Sequence, residues 1–342
     1  MKYNKTSSWI LFTPFMLMFF ASCSGEISSE WEFKNSIKIE NVRNFHELNI
    51  VYKKEKFFVL HNYRTQLDIY GNNGLESIIQ VANLIETYGG FQIKGQYVLK
   101  TEPYDEENLI ILKTFPNEFH ILTTDQPHTI KKLSIDISSN EFLADVTKFN
   151  NEYLVFNTYG AEALNHAKIY RYDIKNQTSK LLYEIFLDNP VAEFLKLKFF
   201  EQNLKLLDPY HKELITLDKN GKLLSKNNFT TPSDFNYNFT ETKRYASAEE
   251  FNKSEIDLQE FTRLVDFSLF KNSLLLIIAQ NQGRKIVDRL LVSCSLEDGH
   301  PATVIKTEQI PIHFGPNNHL FRYFEKDSMQ FVEVVPLTKV ID

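Results

Sequence analysis

Cysteine is scarce in this chain: the 342 residues contain two, Cys23 and Cys294. Cys23 lies at the end of an N-terminal signal segment, so Cys294 has no cysteine partner in the mature protein. Cys294 belongs to the apolar run Leu290–Ser295, where a cysteine acts as a small hydrophobic side chain rather than as a nucleophile. This scarcity excludes a disulfide within the mature chain.

Clustered positive charge is also missing. The formal net charge is −6, and the chain has no long basic block. Nucleic-acid binding needs a clustered positive surface that neutralises phosphates. We therefore expect no nucleic-acid partner.

Recognisable catalytic and metal-binding motifs are absent. Nine histidines are scattered singly, without an HxH, HExxH or CxxC arrangement, and no GxSxG or SxxK motif occurs. The motifs therefore predict no catalytic residue, no metal site and no cofactor. His313 and His319, which bracket a turn, are interpreted as loop histidines. The acidic run Glu102–Glu107 is interpreted as a solvated loop rather than a Ca²⁺ site.

Aromatic residues, by contrast, are plentiful, since 29 Phe and 16 Tyr stand against 11 Gly. Aromatic and β-branched side chains favour strands over helices. Short apolar or alternating runs, closed by Gly, Asn, Asp or Pro, recur along the chain. The stretch Leu204–Leu224 shows the pattern: strand, polar turn, strand, the turn Asp218–Gly221, and the start of another strand. The sequence predicts an all-β fold.

The strands recur with a regular period. Turns that follow the third strand of a unit fall near residues 74, 125, 176, 221 and 299. Three intervals are 45–51 residues, and an insertion at 230–261 lengthens the fourth to 78. Four short strands every 40–50 residues are typical of propeller blades. We predict a six-bladed β-propeller of four-stranded antiparallel blades, with a pair of β-sandwiches as the alternative.

The two ends of the chain are predicted to meet. The sixth unit, with strands at Leu320–Phe324 and Gln330–Val335, lacks a fourth strand, while Ser36–Val42 alternates near the N-terminus. Docking this N-terminal strand on the last blade closes the ring; an edge strand on the first unit is the alternative. Ser77–Gly95 is interpreted as an outer strand followed by a loop rather than as a helix. The insertion, with a short helix within Ser247–Phe261, is either a partner-binding cap or a structural elaboration.

The N-terminus carries an export signal. Lys2 and Lys5 precede a twelve-residue apolar run, Trp9–Phe20, which is too short to span a membrane comfortably. The run ends in Phe20–Cys23 (FASC), which resembles the lipobox of bacterial lipoproteins. The resemblance implies a signal peptide at 1–22, lipidation of Cys23, a polar tether at 23–35 and a propeller domain at 36–342. Ordinary signal cleavage and a retained anchor are the alternatives.

The combination of lipobox and repeat is similar to Bacteroidetes-type lipoproteins with degenerate six-bladed propellers of the TolB-like or NHL-like kind. The resemblance rests on the blade pattern over residues 36–342 and on the sequence around Cys23. It implies palmitate attachment and a cell-envelope location at the outer membrane, with the periplasmic or surface face left open.

Polar residues after the second strand of three units are the candidate ligand-binding residues, because the central channel and one face are where a propeller would hold a ligand. Tyr63, Tyr159 and Tyr210 recur at this position. The other interpretation is that these aromatics cover blade ends. The predicted residues are His61, Tyr63, Arg64, Asn157, Tyr159, Asp208, Tyr210 and His211.

These observations favour a membrane-anchored, non-catalytic binding or assembly module for a protein, peptide or glycan. The alternative is a propeller enzyme, such as a glycan hydrolase or lyase, with its site in the central funnel. Three or more buried carboxylates or imidazoles converging on the axis would favour the enzyme, and an apolar axis would count against it.

Overall fold

The fold is an all-β propeller with six sheets of four antiparallel strands arranged as blades around an axis. This confirms the predicted class. The computed structural model describes residues 36–39, 48–61, 66–71, 73–81, 98–105, 107–113, 117–125, 127–138, 140–160, 166–186, 195–209, 211–230, 260–282, 285–296, 302–305, 307, 309–315 and 318–341. No helix among these residues is long and apolar enough to cross a membrane.

The chain enters the described structure through β1 (Ser36–Ile39), which joins the last blade. The next three blades follow in chain order. Their strands are β2 (Asn49–Lys53), β3 (Lys56–His61), β4 (Gln66–Gly71) and β5 (Gly74–Gln80) in blade 1; β6 (Val98–Pro103), β7 (Asn108–Lys113), β8 (Glu118–Thr123) and β9 (Ile130–Leu133) in blade 2; and β10 (Glu141–Lys148), β11 (Tyr153–Gly160), β12 (His166–Asp173) and β13 (Thr178–Phe186) in blade 3.

The remaining blades continue in the same way, and a short helix, α1 (Thr338–Ile341), follows the final strand. Their strands are β14 (Lys196–Phe200), β15 (Asn203–Asp208), β16 (Glu213–Leu217) and β17 (Leu223–Asn228) in blade 4; β18 (Glu260–Phe270), β19 (Ser273–Gln282), β20 (Lys285–Ser295) and β21 (Thr303–Ile305) in blade 5; and β22 (Ile310–Gly315), β23 (His319–Lys326) and β24 (Met329–Pro336) with β1 in blade 6.

Strand direction defines the two faces of the ring. The first strand of each blade is innermost, and the strands then alternate in direction outward. The turns between second and third strands therefore lie on the same face as the connections from one blade to the next, which we call the upper face. The turns between first and second strands, and between third and fourth, lie on the lower face.

The apolar core lies between the blades, because both surfaces of each sheet are covered by neighbouring sheets. In β7 the consecutive residues Leu109, Ile110, Ile111 and Leu112 are all fully buried. Leu109 and Ile111 pack with residues of blade 1, whereas Ile110 and Leu112 pack with residues of blade 3. A continuous apolar run is thus the expected sequence for a strand covered on both sides.

The tight turns use few glycines. Two-residue hairpin turns at Lys54–Glu55, Glu201–Gln202 and Asp327–Ser328 place both residues at positive φ, the backbone that a type I′ turn requires. The left-handed backbone is unfavourable for any residue with a Cβ, and all six of these residues have one. The packing of the blades therefore overrides their local backbone preference. Gly221 is different, because a Cβ there would lie 2.5 Å from the carbonyl oxygen of Leu182 on blade 3.

The ring is closed by the N-terminal strand, as predicted. β1 pairs antiparallel with β24, with Ile37 opposite Val332 and Ile39 opposite Gln330. Ile37 and Ile39 are buried in the cluster that joins blades 6 and 1. The first and last parts of the chain therefore complete one sheet.

The structure corrects the prediction in blade 6. The sequence interpretation placed His313 and His319 in loops, but His313 lies in the inner strand β22, which was not predicted, and His319 is the first residue of β23. Pro311 and a β-bulge after it interrupt the alternation that marks a strand. The predicted outer strand of blade 5, Thr303–Gln309, is reduced to β21, Thr303–Ile305.

The segment that begins at Ser77 and the insertion at 230–261 interrupt the regular blade pattern of the sequence. The outer strand expected from Ser77 onward is present as far as Gln80, in β5 (Gly74–Gln80), whereas Val81 is helical and residues 82–95 lie outside the described residues. Most of the insertion at 230–261, with the helix expected there, lies outside the described residues. Its last two residues, Glu260 and Phe261, begin β18.

The closing strand gives the first prediction. Replacing Ile39 with Ala removes a buried side chain from the junction of blades 6 and 1, and should lower the free energy of unfolding by about 2–4 kcal/mol. Replacing the exposed Lys38 next to it should change this free energy by less than about 1 kcal/mol. Urea denaturation followed by circular dichroism measures both, and equal effects would contradict closure by β1.

Candidate functional site

The inner strands form a hydrogen-bonded ring around the axis, which we call the axial ring. Each inner strand is the edge strand of its sheet, so the backbone groups on its axis side have no strand partner. Side chains of the preceding blade accept hydrogen bonds from backbone N–H groups at four of the six junctions. These pairs are Asn49 Oδ1 with Thr101 N (3.0 Å), Asp145 Oδ2 with Leu197 N (3.0 Å), Asp266 Oδ2 with Phe314 N (2.8 Å), and His313 Nε2 with Ile50 N (3.0 Å).

Two lysines join the remaining junctions. Lys100 of blade 2 donates to Asp145 Oδ1 at 2.8 Å and to the carbonyl oxygen of Val146 at 3.0 Å, both on blade 3. Lys198 of blade 4 donates to Asp266 of blade 5 at 2.9 Å. Asp145 and Asp266 therefore each bind a lysine from one neighbour and a backbone N–H from the other.

Four residues of the axial ring directly follow a β-bulge in their strand. The register shifts immediately before Lys100, Asp145, Asp266 and His313. A bulge adds one residue to a strand and re-aims the side chain that follows it. This local irregularity turns these four side chains toward the adjacent blade.

The electrostatics of the axial ring keep its acid and base groups charged. Burial alone would lower the pKa of Lys100, but the carboxylates of Asp145 and Glu102 raise it above its ordinary value. Burial alone would raise the pKa of Asp266, but the ammonium of Lys198 and the other contacts hold it below its ordinary value. A general acid or base works best with a pKa near the operating pH, so these groups suit a structural role.

His313 is held neutral in one tautomer. Its Nε2 accepts the N–H of Ile50, while its Nδ1 lies 3.4 Å from the carbonyl oxygen of Phe314 and carries the ring proton. Burial lowers the pKa of His313 to about 4, although Asp266 opposes this effect. Protonation would remove the acceptor that joins blade 6 to blade 1.

The predicted site residue His61 lies at the upper end of blade 1. It is 1% exposed, and its Nε2 lies 2.6 Å from Asp68 Oδ2. Gln66 donates to the other oxygen of Asp68 at 2.7 Å. The Nδ1 of His61 has no hydrogen-bond partner among the described residues. This buried imidazole–carboxylate pair faces the cluster shared with blade 6.

The structure brings three other predicted residues together, between blades 3 and 4. Asn157 donates to the carbonyl oxygen of Leu195 at 3.2 Å, and the Tyr159 hydroxyl accepts the Leu195 N–H at 2.7 Å. Burial raises the pKa of Tyr159, and the nearby carboxylates of Asp208 and Asp145 raise it further. Asn157 and Tyr159 thus hold the segment that leads into β14.

The last described member of the predicted set is His211. Asp208, 1% exposed, accepts the backbone N–H of His211 at 3.1 Å and lies 2.8 Å from its Nδ1. This arrangement forms a capped turn after β15. The predicted residues Cys23, Tyr63, Arg64 and Tyr210 lie outside the described residues.

The motif search missed a cluster on the upper part of blade 3. Glu141, 8% exposed, accepts hydrogen bonds from Thr158 Oγ1 at 2.7 Å, Lys168 Nζ at 2.7 Å and Tyr170 Oη at 3.2 Å. Burial alone would raise the pKa of Glu141, but these contacts hold it below its ordinary value. The four residues come from three strands, so no sequence motif marks them.

An exposed aromatic ring lies beside this cluster. Phe186, the last residue of β13, is 70% exposed, and its ring stacks on the imidazole of His166 with centroids 4.2 Å apart and planes 15° apart. Glu184 is on the same strand, opposite Lys168. One face of the Phe186 ring is therefore covered by His166, and the other is available to a partner. The alternating run around it predicted a strand, but nothing in it indicated this exposure.

The described residues contain no group of three or more His, Cys, Asp or Glu side chains placed to hold a metal ion. The axial carboxylates Asp145 and Asp266 are each bound by a lysine. The axial ring thus contains three of the acid or imidazole side chains that the sequence analysis associated with an enzyme, Asp145, Asp266 and His313, but each of them binds a neighbouring blade.

The neutral His313 predicts a pH-dependent stability. Its pKa is about 4 in the folded chain and 6.5 ordinarily, so below about pH 6.5 the unfolded chain binds a proton that the folded chain does not. The free energy of unfolding should fall by about 3 kcal/mol as the pH drops from about 6.5 to about 4. In His313→Leu this contribution should disappear, while stability at pH 7.5 falls by about 1–3 kcal/mol because the Ile50 N–H loses its acceptor. Parallel pH dependences in urea denaturation of the two proteins would contradict the assignment.

Comparison with known proteins supports the fold. No protein-family model matches the sequence, and a search of curated proteins finds no match. A luciferin-regenerating enzyme is similar in structure, with a TM-score of 0.51 and 12% identity over 88% of this chain and 95% of that one. A streptogramin B lyase has a TM-score of 0.47 and 9% identity over 89% of this chain and 99% of that one. At these identities the first likeness shows a shared propeller fold and carries no activity to this chain.

Proposed function

We propose that this protein is a cell-envelope lipoprotein whose propeller binds a protein, peptide or glycan without chemically changing it. The anchor part of the proposal rests on the sequence: Lys2 and Lys5, the short apolar run, and the small residues Ala21 and Ser22 before Cys23. Several acyl chains on one cysteine make membrane attachment stable, since each buried methylene contributes about 0.8 kcal/mol. The outer membrane is the expected location.

The observation that carries the binding role is the exposed ring of Phe186 on the upper part of blade 3. Aromatic side chains dominate binding interfaces, because they bury a large area and lose little conformational freedom. The ring is already held in place by His166, so little ordering remains to be done when a partner covers its open face. Lys168 and Glu184, both partly exposed, offer a donor and an acceptor nearby.

Such a combination suits partners with a flat apolar face bordered by polar groups. The C–H face of a sugar ring and an aromatic or proline side chain of a peptide both have this character. The ring lies at the upper, outer corner of its blade, so a long partner can extend past it without entering the central channel.

The state of the axial carboxylates favours binding over glycan hydrolysis or elimination. Such reactions need carboxylates that can exchange a proton or attack a substrate. Asp145 and Asp266 instead bind lysines and backbone N–H groups of their neighbours. Replacing either aspartate would break contacts between blades, in addition to any effect on a reaction. The buried pair of His61 and Asp68 is the observation that most favours the enzyme alternative, since a carboxylate can orient an imidazole as a general base.

The anchor is tested by Cys23→Ala in the full chain. The variant should move from the membrane fraction to the soluble envelope fraction and should lose incorporation of labelled palmitate, because the lipid-bearing sulfur is absent. Cys294→Ala is the matched control: Cys294 is buried in blade 5, and its replacement should leave membrane attachment and labelling unchanged. Membrane retention of Cys23→Ala would refute the lipoprotein assignment.

The binding surface is tested by photo-crosslinking in the membrane-attached full chain. A p-benzoylphenylalanine at Phe186 should capture a partner on irradiation, because the ring's open face would lie against it. The same replacement at Leu224 of β17 is the control, since that residue is 52% exposed at the lower end of blade 4.

Protease sensitivity of the crosslinked product identifies a protein or peptide partner, and glycosidase sensitivity identifies a glycan. Capture at position 186 and not at position 224 supports the proposed surface. Equal capture at both positions, or none at position 186, overturns it.

A further inference from the structure

The exposed apolar side chains of the propeller are concentrated on its lower rim. Eight large apolar side chains are exposed among the described residues, and five of them lie in the lower halves of outer strands. These five are Leu75 in blade 1, Leu181 in blade 3, Leu223 and Leu224 in blade 4, and Val304 in blade 5. Apolar surface gathered on one side of a folded domain marks a surface that contacts a protein or a membrane.

Three of these side chains form one patch, which we call the rim patch: Leu181, Leu223 and Leu224, which are 43%, 41% and 52% exposed. The turn that precedes β17 packs on the outer strand of blade 3, since a Cβ added to Gly221 would lie 2.8 Å from the Cβ of Leu182. Arg171 of blade 3 also donates to the carbonyl oxygen of Lys219, in the same turn, at 3.4 Å. The rim patch therefore crosses the boundary between two blades.

The same tripeptide builds the rim patch in both blades. Lys180–Leu182 and Lys222–Leu224 both read Lys-Leu-Leu. The second leucine of each is the extra residue of a β-bulge, since the strand register skips Leu182 and Leu224. A bulge twists an edge strand and protects it from pairing with a strand of another chain. The rim patch therefore offers leucine side chains rather than a backbone edge to whatever covers it.

Positive charge borders the rim patch. The cationic side chains in the adjoining strand ends and turns are Arg171, Lys175, Lys180, Lys219 and Lys222, and the carboxylates are Asp173, Asp218 and Glu152. Asp173 and Asp218 accept backbone N–H groups of their own turns at 2.8 Å, whereas the four lysines are exposed. Exposed leucines bordered by lysines suit a bilayer interface, because a lysine covers apolar surface with its stem while its ammonium reaches the phosphates.

The N-terminal strand enters the ring from the same face. β1 is antiparallel to β24 and runs from the lower face toward the upper face, so Ser36 is at its lower end. Ser36 is thirteen residues after Cys23. A fully extended chain of that length spans at most about 45 Å. Successive blades share core clusters around the ring, which places blade 6, with β1, opposite blade 3. A lipid on Cys23 would therefore hold one edge of the lower face near a bilayer, with the rim patch at the opposite edge.

We propose that the rim patch is a membrane-docking surface: Leu181, Leu223 and Leu224 enter the interface of the bilayer that holds the Cys23 lipid, and the bordering lysines bind its phosphates. This inference rests on the lipid anchor of the proposed function. The anchor keeps the rim patch at a high effective concentration near the bilayer, so a contact too weak to hold the protein by itself is enough to orient it. With both edges held, the lower face lies against the membrane, and Phe186 on the upper part of blade 3 faces away from it.

Electron paramagnetic resonance on the full-length, lipidated protein in phosphatidylethanolamine–phosphatidylglycerol vesicles tests the docking. A nitroxide is attached to Leu223→Cys in a Cys294→Ala background. A nickel chelate stays in water, so it should collide with this label about fivefold less often than with a label on Met329→Cys. Met329 is the matched control, because it is 38% exposed and begins β24 on the upper face. Equal collision rates at the two positions would overturn the proposal.

The anchor is measured separately on the same preparation by incorporation of labelled palmitate. Protein without palmitate contradicts the lipoprotein assignment itself. Protein that carries palmitate but has a water-exposed label at position 223 contradicts only the docking. A lipid adduct at Leu224 is neither protein, peptide nor glycan, so it does not count as partner capture in the crosslinking comparison with Phe186.

The role of the leucines is tested with the label on Leu181→Cys. Leu223→Asp should raise the collision rate of this label with the chelate about threefold, because a carboxylate resists transfer out of water. Leu75→Asp places the same charge before the corresponding bulge of blade 1, at a residue that is 44% exposed, and should leave the rate unchanged. Equal effects of the two substitutions would contradict docking through the rim patch. Dipolar broadening that disappears on dilution with unlabelled protein would identify a second copy of the chain as the occupant and would likewise overturn the proposal.

Discussion

The six sheets depend on how the edge strands around the axis find hydrogen-bond partners. An inner strand has a neighbour on one side only, and a buried backbone group left unpaired costs about 1–3 kcal/mol. Side chains supply these partners: Asn49, Asp145, Asp266 and His313 each accept a backbone N–H from the following blade. At the other two junctions, Lys100 and Lys198 donate to an aspartate of the following blade. The acidic and basic groups nearest the axis are therefore committed to holding the ring together.

Because these groups hold the ring together, the axis is a poor location for a functional site. Charged groups that stabilise blade junctions are poor candidates for proton transfer, since their contacts keep them in one protonation state. Carboxylates on the upper face are bound in the same way: Glu141, Asp68 and Asp208 are buried against partners of their own blades. Phe186 on the upper face differs in being exposed. We place the proposed partner surface at this position.

Sequence reasoning recovered the architecture because blade formation is largely local. Strand, turn and strand lie within about fifty residues, and alternation or continuous apolar runs report burial directly. It failed at β22, where Pro311 and a bulge break the pattern, and it consequently placed His313 in a loop. It also selected Asn157, Tyr159 and Asp208, which the structure brings together, but as residues open to a ligand; the structure shows them buried against Leu195 and a neighbouring turn.

The sequence alone determined the number of blades, the antiparallel order within them and the use of the N-terminal strand to close the ring, because each follows from patterns carried by contiguous residues. The tertiary structure alone decided which side chains meet across blades. His313 contacts Ile50 over a separation of 263 residues, and Lys198 reaches Asp266 over 68. Periodicity tells which way a side chain faces within its strand, but its partner depends on where another blade comes to rest. The exposure of Phe186 could be known only once the blades were in place.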